Sequence, residues 1–175
     1  MITFRPDQVI FESKSQVITN TVNCHGVMGK GIALEFKSRF PKMFDDYRLR
    51  CEREEVKPGV PYLWEDDGLM ILNFPSKNHW KGNSKIEWIE QGFSWIRENY
   101  ERLGISTLAM PPVGCGNGGL YWSDVKVLVE KYFGDLDDLL VTVYLPRQSV
   151  AGVQKKPISK GKTAAGRVPI IAAAK

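Results

Sequence analysis

The spacing of apolar positions along this chain changes several times, and each change marks an element. Residues 2–10 hold short apolar runs broken at Pro6, read as one or two strands. Val17-Ile18-Thr19 is β-branched and extends as a strand to Val22. Over 28–40, Met28, Ile32, Phe36 and Phe40 recur at four-residue spacing, the stripe of a helix that stops before Pro41. Residues 42–53 predict a second helix, and "YLWEDDGLMILNF" predicts a hairpin turning at Asp66-Asp67-Gly68. The strongest helix lies over 84–103. Ser84 and Glu87 stand at capping-box spacing, Ile86, Ile89, Phe93, Ile96, Tyr100 and Leu103 follow the three/four period, and Gly104 takes the C′ position. "STLAMPPV" predicts a strand, 123–133 a helix with Val125, Leu128, Val129 and Phe133 on one side, and "LLVTVYL" a buried last strand. Mixed strands followed by alternating helix and strand predict a three-layer α/β/α fold, with helices on both faces of a mixed, largely parallel sheet.

Two loops interrupt this pattern at strand-to-helix turns. The first holds Gly26, Gly29 and Gly31 behind Asn20 and Asn23; the second is "PPVGCGNGGLYWSD". Gly114-x-Gly116-x-x-Gly119 has the literal spacing of a dinucleotide fingerprint, in which glycine lets backbone N–H groups approach a pyrophosphate at a helix start. Only one strand follows it, which argues against a nicotinamide-dependent oxidoreductase. Tight turns needing positive φ explain either loop singly. Both loops leave strands that run the same way, so both open onto one crevice, and two facing sets of donors suit a diphosphate. Asn20 and Asn23 offer amides to sugar hydroxyls, or serve simply as turn residues.

Charge and cysteine content narrow the class. Residues 151–175 carry +6, so the remaining 150 residues carry −2 of the net +4. The chain therefore divides into a mildly acidic domain over 1–148 and a basic tail over 149–175, read as a linker or a remnant of a further segment. Such a tail can touch nucleic acid through phosphate charge. Cys24, Cys51 and Cys115 are odd in number and lack metal-ligand spacing, which suits a reduced, cytoplasmic protein with no metal site. No apolar run is long enough to span a bilayer, and the first residues lack the layout of a signal peptide. A monomer without a membrane partner is expected.

"VITNTVNCHGVMGKGIALEFKSRFP" together with "MPPVGCGNGGL" resembles the macrodomain, the ADP-ribose-binding module, over about residues 1–146. The family's N-x-x-N element falls on Asn20 and Asn23, its first loop on Gly26, Val27, Met28, Gly29, Lys30, Gly31 and Ile32, and its second on Pro112, Val113, Gly114, Cys115, Gly116, Asn117, Gly118, Gly119 and Leu120. "MGKGIALEFK" is similar to the branch holding the human terminal ADP-ribose glycohydrolase and the DarG-type antitoxins. "NFPSKNHWKGNSKIEWIEQG" resembles the latter, the DNA ADP-ribosyl glycohydrolases. That resemblance implies removal of ADP-ribose from thymine in single-stranded DNA, reversing a DarT-type toxin, without a cofactor. It implies a catalytic lysine, which falls on Lys77, with Lys81 next in line, and an adenine-stacking aromatic at Tyr144. The acid that the human relative uses in the second loop is replaced here by Gly118.

The chemistry then assigns tasks. Cleaving an N-glycosidic bond builds positive charge on C1″ of the distal ribose, so the ribose must be fixed and a nucleophile or proton supplied. Asn23 suits the first task. Lys77, if desolvated, suits the second as nucleophile or as acid/base. Lys30 belongs on the exposed side of its helix or near phosphate. His79 and Trp80 are the expected base contacts, Trp80 by stacking. Cys24 and Cys115 read as packing residues. Two other readings stay open: a reader that binds ADP-ribose without turnover, and a hydrolase of protein-linked ADP-ribose.

Overall fold

The computed structural model describes residues 1–6 and 8–145; the tail expected over 149–175 lies outside the described residues. In chain order the elements are β1 (Ile2–Pro6), a short 3-10 turn, β2 (Val17–Val22), α1 (Gly31–Arg39), α2 (Pro41–Glu52), β3 (Tyr62–Asp66), β4 (Leu69–Pro75), α3 (Ile86–Asn99), β5 (Thr107–Met110), α4 (Trp122–Phe133) and β6 (Leu140–Leu145). The strands form one sheet in the order β1-β6-β5-β2-β4-β3, parallel throughout except for the β3–β4 hairpin. The three-layer fold read from the sequence is the fold observed.

Each face of the sheet has its own core. On one, α3 and α4 pack Ile89, Phe93, Ile96, Val125, Val129 and Phe133 against Leu72, Phe74, Leu108 and Val141. Edge-on rings join three elements there, Phe74 to Phe93 at 5.8 Å and Phe93 to Phe133 at 5.3 Å. On the other, Phe36, Met43 and Tyr47 of α1 and α2 cover Ile18, Val22 and Ile71. β2 lies between β5 and β4 with helices on both sides, so nearly all of it is buried and no polar alternation shows.

Local chemistry explains the ends. Asp67 (φ 48°) and Gly68 (φ 78°) form the two-residue, positive-φ hairpin turn expected from Asp-Gly. Pro41 stands at the first position of α2, where its missing N–H costs nothing. Gly104 closes the α3 region: its N–H donates to the Glu101 carbonyl and the Ile105 N–H to the Tyr100 carbonyl, a Schellman pair, after regular helix has ended at Asn99. Two expectations need correction. α1 begins at Gly31, not 28, because Met28 is buried in the core beneath the loop. The capping box does not form: Lys85 caps α3 without a side-chain bond, and the buried Ser84 Oγ has no hydrogen-bond partner.

Candidate active site at the carboxyl ends of the strands

Because β2, β4, β5 and β6 are parallel, the loops leaving them emerge on one side. They enclose a cavity of about 900 Å³, within the range of small-molecule sites. Its wall includes Asn23, Val27, Gly29, Lys30, Gly31 and Ile32 from the first loop, Lys77 and Trp80 after β4, Pro112, Gly114, Cys115, Gly116, Asn117 and Gly118 from the second loop, and Tyr144 at the end of β6. The two glycine loops touch: a Cβ on Gly31 (φ 56°) would lie 3.0 Å from Asn117 Nδ2.

Between them runs a third segment, the one in which the sequence placed Lys77, His79 and Trp80. The Cys24 N–H donates to the Asn78 carbonyl (2.8 Å), fastening the segment's start to the first loop. The Ser84 N–H donates to the Gly118 carbonyl (2.9 Å), fastening its end to the second. Lys77 crosses the gap directly, its ammonium donating to the Asn117 carbonyl. Partial burial holds the Lys77 pKa below the ordinary lysine value, since desolvation disfavours the charged form.

Asn23 is held from several sides. Its Nδ2 donates to the Val27 carbonyl (2.6 Å), while its Oδ1 accepts from the His25 N–H (2.9 Å) and the Tyr47 hydroxyl (3.1 Å). An amide nitrogen has two hydrogens, so one bond leaves a donor for a sugar hydroxyl. Tyr47 also bonds the Asn23 carbonyl (2.8 Å), which fixes the loop to α2. Cys24 and Cys115 are pushed up to about 12 by burial, so both remain thiols and neither suits a nucleophile.

Other expected site residues are not brought to the cavity wall. Asn20 is fully buried within β2 and donates to Asn73 Oδ1 (3.0 Å) across the sheet, so it is a core residue rather than a sugar contact. Met28 and Val113 are buried, and Leu120 packs toward the same core as Val113, so these anchor the loops from behind. Gly26 faces Arg48 and Cys51 of α2, Gly119 faces Asn83, and His79 stands outside the wall, stacked on Trp80. Sequence reasoning missed Gln8, Val9, Ile10 and Phe11, which line the cavity after β1. Their apolar run was read as strand continuing past Pro6, but β1 ends at Pro6 and Ile10–Glu12 form a 3-10 turn.

Gly118 has a steric reason for being glycine. A Cβ there would lie 2.4 Å from Ser84 Oγ and 3.1 Å from Ser84 Cβ. Gly118→Ala is therefore expected to displace the second loop and weaken binding of ADP-ribose, the ligand the sequence resemblance implies, about ten-fold by calorimetry. Adding Ser84→Gly should recover most of that loss, as coupled neighbours do. Equal losses in the single and double variants would refute the contact.

A family model for the Macro domain matches residues 19–129. The chain belongs to the macrodomain family. A DNA ADP-ribosyl glycohydrolase of Mycobacterium tuberculosis is 37% identical over 169 residues, covering 93% of this chain and 48% of the relative. The solved macrodomain of Mycobacterium tuberculosis DarG superposes with a TM-score of 0.77 at 40% identity, over 82% of this chain and 97% of that one. Thermosipho africanus DarTG, solved in complex with ADP-ribose, gives a TM-score of 0.73 at 39% identity, over 86% of this chain and 41% of that one. The chain thus spans about half the length of the curated relatives it matches. Among its described residues no helix is long and apolar enough to cross a membrane, and no group of three or more His, Cys, Asp or Glu side chains is placed to hold a metal ion.

Proposed function

We propose that this macrodomain hydrolyses the N-glycosidic bond between ADP-ribose and thymine in single-stranded DNA, a repair step that reverses a DarT-type toxin. The observation that carries the reading is the Lys77 amine, partly desolvated and bonded across the cleft to the second glycine loop. In the reaction the diphosphate lies between the glycine loops, whose rim carries Lys30, and Asn23 donates to the distal ribose. Tyr144 faces the adenine. Neutral Lys77 attacks C1″; the bond to the base nitrogen breaks and its electron pair leaves with thymine, which takes up a proton. Water then displaces the amine, giving free ADP-ribose and restoring the lysine. Three relatives at 36–40% identity, named for DNA ADP-ribosyl glycohydrolase activity, support the substrate class. A cytoplasmic monomer without a cofactor completes the proposal, with the toxin as its partner.

The experiment is incubation with thymidine-ADP-ribosylated single-stranded DNA and, separately, with ADP-ribosylated protein. Release of ADP-ribose from DNA alone is the expected result. Release from protein alone would instead support a protein-directed hydrolase. Binding of ADP-ribose with turnover of neither would make the domain a reader.

A further inference from the structure

We propose that the loop Lys77–Lys85, with His25 beside it, is the docking surface for the single-stranded DNA that flanks the modified base. This rests on the glycohydrolase reading and adds where the strand lies. Beyond the cleft-facing Lys77, the loop carries Lys81 and Lys85 and no acidic residue, complementary to a phosphate backbone. Glu87 stands in the first turn of α3 and Glu35 on the cavity wall.

The aromatic part is continuous. The rings of His25 and His79 meet edge-on at 4.7 Å, and His79 stacks on Trp80 at 5.5 Å with 25° between planes. These are the chain's only two histidines, brought together from loops after β2 and β4. Trp80 remains 46% exposed, so part of its surface is open to a base. Lys81 Nζ lies 4.8 Å from the Trp80 ring and Lys85 Nζ 4.9 Å from the Trp88 ring, so cation and stacking surface alternate along the loop.

The surface is built before any ligand arrives. Besides its two attachments to the glycine loops, His79 Nδ1 accepts the Lys81 N–H (3.1 Å) and the His79 carbonyl accepts the Gly82 N–H (3.0 Å). A held shelf spares the ordering entropy that a free loop loses on binding. Trp80, Lys81, Gly82 and Asn83 also line the cavity, so the shelf begins at its mouth. A thymine whose attached ADP-ribose enters the cleft leaves its neighbours in the strand lying on this shelf.

The test compares kcat/KM on a short thymidine-ADP-ribosylated oligonucleotide with kcat/KM on ADP-ribosylated thymidine nucleoside, over a range of salt, using the full chain. Trp80→Ala is expected to lower the oligonucleotide-to-nucleoside ratio about ten-fold. His25→Ala, a change outside the cavity wall, should lower it in the same direction. The double change Lys81→Ala/Lys85→Ala should flatten the salt dependence for the oligonucleotide by about 1.4, roughly 0.7 for each lost phosphate contact. An unchanged ratio and salt slope, with the oligonucleotide still hydrolysed, would overturn this surface and leave the proposed activity standing. Equal losses on both substrates would overturn it too, confining the role of Trp80 to the cleft that both substrates share. Failure of the unaltered protein to hydrolyse the oligonucleotide would remove the activity itself.

Discussion

Lys77→Ala is expected to cut turnover of ADP-ribosylated single-stranded DNA about a thousand-fold, the scale on which removing a positioned nucleophile or acid/base acts. ADP-ribose affinity should change far less. The side chain's bond to the Asn117 carbonyl is a single contact, and a typical net hydrogen bond is worth about 1 kcal/mol, less than ten-fold in Kd. The split between kcat and affinity therefore separates a chemical role from a structural one. The pH profile adds a sign. In the proposed mechanism the neutral amine attacks C1″, and its fraction grows as pH rises, so kcat should rise with pH. Desolvation has lowered the Lys77 pKa, so the inflection should fall below 10.5. Lys77→Arg, which keeps the charge but stays protonated, should be inactive at every pH while still binding ADP-ribose. A Lys77→Ala rate equal to that of the unaltered protein would remove this residue from the chemistry, and a rate falling with pH would make it a general acid.

Gly92→Ala in α3 should destabilise the fold more than its helical context suggests. Helix propensity alone favours alanine by about 1 kcal/mol. The new Cβ, however, would lie 2.1, 2.6 and 2.8 Å from three atoms of the Phe74 ring. That ring is fully buried and bounded by Phe93, so it has nowhere to move. Overpacking of this kind costs about 1–3 kcal/mol and sometimes more, and three contacts below 3.0 Å with a buried ring place it at about 3 kcal/mol, which outweighs the propensity gain. A net loss of about 2 kcal/mol corresponds to a melting temperature lower by about 4–8 °C. The cleft should register it as well, because Phe74 stands three residues before Lys77 in the same segment. Phe74→Leu in the Gly92→Ala background should recover part of the loss; a melting temperature unmoved by Gly92→Ala would show that the ring yields.

The elements were legible wherever one period ran long enough to bury a face, as in α3, or where turn chemistry was specific, as at Asp67-Gly68. The glycine loops were legible too, since their composition is costly unless the backbone needs it. What failed was long-range. Ser84 looked like a helix cap, but its own N–H is held by the Gly118 carbonyl, thirty-four residues along the chain, and its hydroxyl is buried against that loop. Asn20 and Asn23 look alike in sequence. Asn20, however, lies inside a strand flanked on both sides, with its amide turned to Asn73, while Asn23 stands just past the strand's end and reaches the cavity. The lining supplied by residues 8–11 follows from β1 joining β6, a pairing no local pattern encodes.

The β3–β4 hairpin has a practical use. Since β4 runs parallel to β2, its first residue lies at the end of the sheet away from the cleft, and a side chain built on Gly68 would meet nothing within 4 Å. A peptide tag grafted at this turn would fix the molecule to a sensor chip with its opening directed at the flowing sample, so that surface measurements of oligonucleotide capture are not blocked by the attachment itself.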